Sequence, residues 1–466
     1  MIRKTIAAAV FVVSSSLFAG SVHADDLPAF PGAEGPGANA TGGRGCPVYH
    51  VTNLNNDGPG SFRDAISQSN RFIVFDVGGT IHLMPGGPKG WIKSSASNLT
   101  IAGETAPGDG VTIKGQGVKL SGKNVILRNL KIRPGMDQAK PGVATNDGIT
   151  NYLQDSIIDH CSITWADDEG LSTSDSARNV TVQYCLIGEI LNYHKHGFGA
   201  LIATEHPDAT MSYHHNLFSS VKSRLPRVGS EKGSGAILNF SNNVIYNWKD
   251  GQAGYSAMDV DGLKVGKRIE QPSRTNFLGN YYIGGPDTKP ADPMFNSAGP
   301  ATVVWQESDQ PNLVDLNGNK TLDGHDLGWN FFKGPFTKAP AKLPVESGIV
   351  QPAKEAYEQV LKTVGAFWWK RDAIDARIID DTKNFRGKNI NYAEDVGGWI
   401  KQGETKRPAD FDTDNDGMPD AWEIKNGLDP KKDDAAGKSD ASGYTNIERY
   451  CHELAAFPLP KGVATK

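Results

Sequence analysis

The chain has 466 residues and a formal net charge of −5, and it contains 53 glycines and 27 prolines. The acidic balance gives no support for nucleic-acid binding, which needs a basic face. The many glycines and prolines predict numerous turns and few long helices, and an elongated repeat fold accommodates such a length as one unit.

The first 24 residues have the order of a secretory signal peptide. A basic start, MIRK, precedes an apolar stretch, and the small residues of SVHA end at Ala24, where we expect cleavage. The alternative is an uncleaved membrane anchor, but Ser14, Ser15 and Ser16 interrupt a stretch that is already short. Because no later segment is apolar enough to span a bilayer, the sequence predicts a secreted protein, extracellular or periplasmic, without a membrane span.

From about Val118 the chain repeats short β-branched runs, among them NVILRNLKI, NVTVQYCLI and NFSNNVIYN. Their alternation of apolar and polar positions predicts half-buried strands. Aligning the runs places six residues in one column: Asn129, Cys161, Cys185, Asn216, Asn243 and Asn280. Parallel strands about 4.8 Å apart let such side chains form a ladder, so we predict an all-β fold, a right-handed parallel β-helix over residues 25–300. The alternative is a β-sandwich, which favours tight hairpins where this chain has long connections.

The four cysteines are too few for a disulfide scaffold, although export permits pairing. Cys161 and Cys185 fall on adjacent coils, where a Cα separation of about 4.8 Å suits a disulfide as well as two stacked free thiols. Cys46 and Cys451 could join the chain ends. The sequence leaves both pairings open.

A second column lies between these runs, in NDGITNYL, DEGLSTSD, HGFGALIA and SRLPRVG. In register, Asp147-Gly148-Ile149 is expected to stack on Glu169-Gly170-Leu171, then on His196-Gly197-Phe198, and then on the basic bend at Arg224. One face of the β-helix is therefore predicted to be acidic at one end and basic at the other.

Asp147 and Glu169, with Asp168 or Asp167 beside them, are expected within a few ångströms of one another. Like charges so close cannot all stay ionised unless a proton or a cation intervenes, and a rigid set of oxygen ligands suits calcium. Two alternatives remain, an exposed acidic loop and the acid and base of a glycosidase. The sequence has no G-x-S-x-G and no H-E-x-x-H, so a serine hydrolase or a zinc protease is not indicated.

After about residue 300 the repeat fades into a loop-rich extension, predicted over residues 301–404, and a C-terminal segment over residues 405–466. The C-terminal run DFDTDNDGMPDAWE has the spacing of an EF-hand calcium loop, with Gly417 at its sixth position. The ligand positions are Asp412, Asp414, Asp416, Asp420 and Glu423. Because no helix pattern precedes it, we predict a structural calcium site packed on the β-helix. A weaker match begins at Asp315 and has Lys320 where a turn glycine is expected.

The ordered series DGIT, DHCSITWADDE, NVTVQYCLIGE, SYHHNLF, SRLPR and NNVIYNW resembles the extracellular pectate lyases of polysaccharide lyase family 1, over roughly Phe30 to Tyr282. The resemblance implies a secreted enzyme that uses calcium and cleaves an acidic polysaccharide, polygalacturonate or pectin, by β-elimination. The products would be unsaturated oligogalacturonides. We expect a monomer.

The resemblance also implies roles for individual residues. Arg224, the first arginine of an R-x-P motif, corresponds to the family's catalytic base. Lys195 and Arg227 correspond to residues that bind the substrate carboxylates, although Arg227 directly follows the proline, where many relatives have it further along. Asp147 matches a calcium ligand, and Asp168 and Glu169 lie where the family has its other acidic ligands. His196, beside Lys195, is a further candidate for substrate contact.

The chemistry of these residue types agrees with that reading. The C5 proton of a uronate is weakly acidic, and calcium on the C6 carboxylate would stabilise the negative charge that develops when the proton leaves. Arginine has a pKa above about 12, so it needs a desolvated, cation-rich site to act as a base. Three other functions stay open: a lyase on another acidic or esterified uronate polysaccharide, a non-catalytic β-helix that binds acidic glycans, and a hydrolase.

Overall fold

The computed structural model describes residues 27–83, 90–136, 146–206, 208–229, 235–249, 251–257 and 271–456. The predicted signal peptide lies outside these residues. None of the helices in the described ranges is both long and apolar enough to cross a membrane.

Short strands, numbered β1 to β31 in chain order, form three sheets along one axis. The first sheet contains β1 (Val48–Val51), β2 (Arg71–Phe75), β5 (Leu99–Ala102), β8 (Val125–Arg128), β11 (Gln154–Asp159), β14 (Arg178–Gln183), β17 (Thr210–His214), β20 (Ile237–Ser241), β23 (Ser273–Leu278), β26 (Thr302–Trp305) and β30 (Thr337–Lys338). The second contains β4 (Ile92–Ser94), β7 (Val118–Leu120), β10 (Ile149–Asn151), β13 (Leu171–Thr173), β16 (Leu201–Ile202), β19 (Arg227–Val228), β22 (Gly254–Ser256), β25 (Phe295–Asn296) and β29 (Phe332–Lys333). The third contains β3 (Val77–His82), β6 (Val111–Lys114), β9 (Lys131–Arg133), β12 (Ser162–Thr164), β15 (Leu186–Gly188), β18 (Leu217–Ser219), β21 (Val244–Tyr246), β24 (Tyr281–Ile283), β27 (Leu313–Asp315), β28 (His325–Asp326) and β31 (Thr405–Lys406).

Each turn of the chain adds one strand to each sheet, which confirms the predicted right-handed parallel β-helix. Neighbouring strands pair in parallel, for example β11 with β14, and antiparallel pairs occur where β28 and β31 join the third sheet. The coils begin at β1, before the visible repeat, and parallel pairing continues past residue 300 to β30. Apolar side chains that point inward from all three sheets form one continuous core.

The polar column is a hydrogen-bonded ladder of buried amides. Asn216 donates from Nδ2 to Asn243 Oδ1 at 3.0 Å, Asn243 to Asn280 at 3.1 Å, and Asn280 to Asn312 at 2.8 Å. Asn312 was not in the predicted column because its run carries no clear β-branched pattern. The ladder satisfies polar groups inside the coil that would otherwise be costly to bury.

The predicted place of Asn129 in this column is wrong by one residue. Asp159 pairs with Arg128, so Asn129 lies opposite His160, one position before the column. Asn129 and His160 have φ of 56° and 48°, in a row of left-handed residues at the corner of the coil. Asparagine tolerates that conformation well, which explains why it recurs at both positions and misleads an alignment.

The cysteines are free in this structure. Cys161 and Cys185 lie on adjacent coils, as the sequence predicts, and both are buried as thiols. Cys185 donates weakly to backbone carbonyls, and Cys46 and Cys451 are likewise unbridged. Of the two open alternatives for the first pair, the structure shows stacked thiols.

Helices cover two outer faces of the β-helix. The helices in the described ranges are Phe62–Ala65, Ala353–Thr363, Ala373–Lys383, Asp420–Asn426 and Asn446–Leu454. Ala353–Thr363 and Ala373–Lys383 pack their apolar sides on the third sheet. The last two pack on the first sheet, where Met418 and Trp422 lie in one apolar cluster with Phe72 and Val74. The second sheet carries the polar residues that form the candidate site; we call the part of each coil that lies in this sheet a rung.

Candidate functional site

The second sheet carries the acidic residues directly before successive strands. Ile149 pairs with Leu171, which confirms the predicted stacking of Asp147 on Glu169. The backbone N–H of Glu169 donates to Asp147 Oδ1 at 3.2 Å, so the two rungs are also joined by a hydrogen bond. Because the strands are parallel and in register, both carboxylates point to the same face of the sheet.

The next rung differs from the predicted alignment. Glu169 pairs with Phe198, and Phe198 pairs with Ser223. The predicted stacking of His196 on Glu169 is therefore wrong by two residues, and His196 lies in the loop that precedes this rung.

The two-residue error in the predicted alignment of His196 is explained by a column of tightly packed glycines beneath the strands. A Cβ at Gly170 would lie 2.5 Å from Ile187 Cγ2, and one at Gly199 would lie 2.4 Å from Leu225 Cδ2. The run HGFGA contains two glycines. Gly199, not Gly197, takes the position in this column where a neighbouring inward-pointing apolar side chain leaves no room for a Cβ atom. The sequence alone gives no means of choosing between them.

Arg224 is held from three directions at the edge of this acidic face. Its guanidinium forms an ion pair with Glu169, donates from Nε to Tyr255 Oη at 3.0 Å, and lies with Cζ 4.0 Å from the ring centroid of Phe198. The backbone of Arg224 has φ of 61°, a left-handed conformation that is uncommon for a long side chain. Only 14% of the side chain is exposed, so its position is fixed by protein contacts.

Two carboxylates and an imidazole converge beside that guanidinium, and Asp147 lies on the preceding coil. Asp168, Glu169 and His196 each offer a ligand atom within 4.8 Å of the others, and His196 Nε2 lies 3.0 Å from Asp168 Oδ1. Burial and the neighbouring Asp168 carboxylate raise the pKa of Asp147 to about 7. A bound cation would relieve this crowding of like charge, and the carboxylate oxygens of the acidic residues are the hard donors that calcium prefers, with the His196 imidazole beside them. Asp147, Asp168 and Glu169 therefore fit a calcium ion, with Glu169 shared with Arg224.

The remaining predicted substrate-binding residues lie at different depths. Lys195 is exposed, and its carbonyl accepts a hydrogen bond from Lys222 Nζ at 2.6 Å, which ties its loop to the basic bend. Arg227 is only 6% exposed and donates from Nη2 to Gln271 Oε1 at 3.2 Å. Lys195 is thus placed to meet a ligand directly, whereas Arg227 belongs to the wall of the groove.

Asp167 is turned away from this group. It is fully buried, and its Oδ1 accepts from the backbone N–H of Asn146 at 2.7 Å. Of the three acidic residues between which the sequence left the choice open, Asp168 and Glu169 are the two that face the groove.

The C-terminal calcium-loop residues form a separate cluster, which we call the C-terminal carboxylate cluster. Two overlapping groups each have ligand atoms within 4.8 Å of one another, and they comprise Asp412, Asp414, Asp416, Glu423 and Asp434. Asp420, predicted at loop position nine, instead accepts from Thr413 N at 2.7 Å and from Thr413 Oγ1 at 2.6 Å. Asp434, which lies outside the calcium-loop motif, belongs to the cluster, and Asp420 does not.

Three residues that sequence reasoning missed complete these sites. Phe198 and Tyr255 position the Arg224 side chain, and Asp434 joins the C-terminal carboxylate cluster. Phe198 and Tyr255 reach Arg224 from neighbouring coils, and the alignment error at Gly197 hid the first of them. Asp434 follows Asp416 by 18 positions, a separation that no loop motif specifies.

In the weaker calcium-loop match near residue 315, side-chain amides of the loop itself bind the carboxylate of Asp323. Asn317 and Asn319 donate to the two carboxylate oxygens of Asp323 at 2.7 and 2.8 Å. Within the described residues it shows no group of metal-ligand atoms.

Comparison with known proteins places the chain among enzymes of one kind. A family model for pectate lyases matches residues 12–261. The "Probable pectate lyase C" of Emericella nidulans is 35% identical over 449 residues, 94% of each chain. That of Aspergillus flavus is 36% identical over 438 residues, covering 92% of this chain and 94% of its own. The solved thermostable pectate lyase PL 47 is similar in fold, with a TM-score of 0.51 at 17% identity, over 72% of this chain and 97% of that chain.

Proposed function

Because the chain belongs to the pectate lyase family and is therefore a polysaccharide lyase, we propose that it cleaves polygalacturonate by calcium-assisted β-elimination. The products are oligogalacturonides with an unsaturated sugar at the new end. The protein acts outside the cytoplasm after export, and its cofactor is calcium bound in the acidic groove.

The observation that carries this proposal is the contact between Arg224 and Glu169 at the junction of acidic and basic rungs. A uronate needs both halves of such a site, because its carboxylate must be neutralised while a proton leaves the adjacent carbon. Lys195, exposed one loop away, supplies a second positive charge for the carboxylate of a neighbouring sugar.

In this mechanism Asp147, Asp168 and Glu169 hold the calcium ion. When bound, calcium acts as a Lewis acid at the uronate carboxylate and stabilises charge that spreads onto it. Arg224 acts in its neutral form, after its guanidinium has lost one proton to solvent, and takes up the C5 proton; the electron pair of that C–H bond forms the C4–C5 double bond, and the C4–oxygen bond breaks. The departing oxygen takes a proton from solvent. No water adds to the sugar, which distinguishes the reaction from hydrolysis.

The fixed geometry of Arg224 is what makes it a usable base. Tyr255 and Phe198 hold the guanidinium plane, so its Nη atoms keep one direction towards the groove. Preorganisation of this kind lowers the barrier because no side chain has to reorient during proton transfer.

The test is ultraviolet absorbance of unsaturated uronate released from polygalacturonate, measured with calcium, with chelator, and with Arg224→Ala. We expect calcium-dependent absorbance that the substitution lowers on the order of 10³-fold, as for loss of a general base. Arg386→Ala, an exposed arginine on the far helical face, is the matched control and should retain the wild-type rate. A flat trace from the wild-type protein with calcium would reject the substrate, and reducing sugars without absorbance would indicate a hydrolase.

A further inference from the structure

The C-terminal carboxylate cluster has the geometry of one metal site. Two groups of ligand atoms share Asp416, and within each group the atoms lie within 4.8 Å of one another. Calcium binds oxygen at about 2.3–2.6 Å, so two ligands of one ion are separated by at most about 5 Å. The separations within each group therefore suit one ion, and the two groups are joined through Asp416.

Glu423 provides independent evidence for a ligand at this place. Its side chain is 0% exposed, and neither Oε1 nor Oε2 has a hydrogen-bond partner. Asp414 Oδ2 is also buried without a partner. Burying a carboxylate without a donor or a cation is among the most costly arrangements in a protein, so a positive charge is required between these oxygens.

We propose that Asp412, Asp414, Asp416, Glu423 and Asp434 bind one calcium ion that fixes the C-terminal segment to the outside of the β-helix. The ligands are all carboxylates, with no sulfur or imidazole, which favours a hard cation over zinc or copper. Five carboxylates on a turn also give the irregular, oxygen-rich surroundings that calcium accepts more readily than magnesium.

The position of Asp434 explains why this ion organises the whole segment. Asp416 Oδ2 accepts from the backbone N–H of Asp434 at 3.1 Å, so the ion joins the loop before helix Asp420–Asn426 to the turn after it. Met418, inside the loop, is fully buried against the first sheet. Calcium therefore closes the loop around the residue that packs on the β-helix.

Polar contacts attach the same segment to the same face. Arg44 Nε forms an ion pair with Glu448 Oε1 at 2.8 Å, and Arg407 Nη2 donates to the carbonyl of Thr105 at 2.6 Å. The ring of His50 lies between Asp76 and the carbonyl of Asn415, at 2.9 and 3.1 Å. These contacts depend on the loop conformation that the ion stabilises, so docking and calcium binding are coupled.

The experiment measures calcium binding and thermal unfolding of the intact chain in calcium chloride and in chelator, for the wild-type protein and Glu423→Gln. We expect calcium to raise Tm of the wild-type protein, because an ion that binds only the folded state stabilises it. Glu423→Gln should bind one calcium fewer per chain and lose that rise. In chelator it should be at least as stable as the wild-type protein, since a buried unpaired charge has been removed.

Two further variants separate the observed ligand set from the sequence motif. Asp434→Asn should weaken calcium binding, whereas Asp420→Asn should leave it unchanged, because the Asp420 carboxylate is bound to Thr413. Hydrogen exchange should show faster exchange over residues 407–456 in chelator and unchanged protection of β11 and β14. The proposal is overturned if Glu423→Gln retains the wild-type calcium stoichiometry and rise in Tm, or if Asp420→Asn weakens binding more than Asp434→Asn.

Discussion

The groove and the C-terminal carboxylate cluster are two acidic sites that compensate their charge in different ways. In the groove, Glu169 forms an ion pair with Arg224 and Asp168 lies 3.0 Å from His196. In the described part of the chain, no ligand of the C-terminal cluster forms an ion pair with Lys or Arg, and Glu423 is fully buried. The groove thus carries a cation of its own, Arg224, and the C-terminal cluster depends on an external one.

This difference is the one expected between the proposed catalytic site and the proposed structural site. A groove with internal cations stays folded without calcium and leaves coordination positions for substrate oxygens. A closed carboxylate cluster binds its ion with protein oxygens and transmits the binding energy to folding. We therefore expect calcium to bind the C-terminal cluster tightly in the free protein, and the groove to gain affinity when a uronate carboxylate adds ligands.

The largest expected effect tests this separation directly. Asp168→Asn removes a groove ligand and should lower turnover on polygalacturonate at least about 100-fold, since metal-ion stabilisation of the transition state is worth several kcal/mol. The calcium-dependent rise in Tm should persist. Initial rates from ultraviolet absorbance and thermal unfolding with and without calcium measure both properties.

Asp434→Asn is the reciprocal variant. It should reduce the calcium-dependent rise in Tm and keep turnover within about twofold at temperatures where the protein is folded, because distant sites act independently. If Asp434→Asn also abolished turnover at low temperature, the two regions would be one coupled unit, and the division into catalytic and structural sites would fail.

The next prediction concerns how the C-terminal segment is attached. Met418→Ala should lower the free energy of unfolding by about 3 kcal/mol, because it leaves a cavity between the calcium loop and the first sheet. Ile424→Ala, at a position that is 65% exposed on the adjacent helix, is the control and should change it by less than about 0.5 kcal/mol. Urea denaturation at saturating calcium measures both. Equal effects would show that the segment is not docked through Met418.

Much of the fold could be predicted from the sequence because its stacked coils repeat chemically. Asn216, Asn243 and Asn280 form the expected ladder, and Asp147 stacks on Glu169 as the aligned glycines indicated. Two alignment errors, at Asn129 and at His196, have one cause. The run at His196 offers two glycines two positions apart, and the run at Asn129 carries its asparagine at the corner position, one before the column; in both, only packing within the coil shows the true register.

The sites were harder to predict where their parts come from distant coils. The R-x-P motif located Arg224, but Tyr255 and Phe198 reach it through the stacking of separate rungs. The calcium-loop spacing located Asp416, whereas Asp434 joins by a turn whose path the motif does not encode. The spacing of residues in a motif therefore predicts where a site lies, but tertiary contacts determine which residues form it.

The smallest expected effect is a pH dependence of the docked C-terminal helix Asn446–Leu454. Burial, together with the positive charges of Arg128 and Arg44, lowers the pKa of His452 well below its ordinary value of 6.5. Its ring lies edge-on to Tyr444, with centroids 4.6 Å apart. Because the folded state binds this proton less readily than the unfolded state, the stability is complete above pH 6.5 and is lost as the pH falls below it.

Between pH 7.5 and pH 5.5 the loss attributable to this residue should be about 1.4 kcal/mol, the value of one pH unit below the unfolded pKa. Other groups titrate over the same range, so the measured quantity is the difference between the wild-type protein and His452→Gln, by urea denaturation in saturating calcium. The variant should show the shallower decline. Parallel declines would mean that His452 takes up a proton without disturbing the helix.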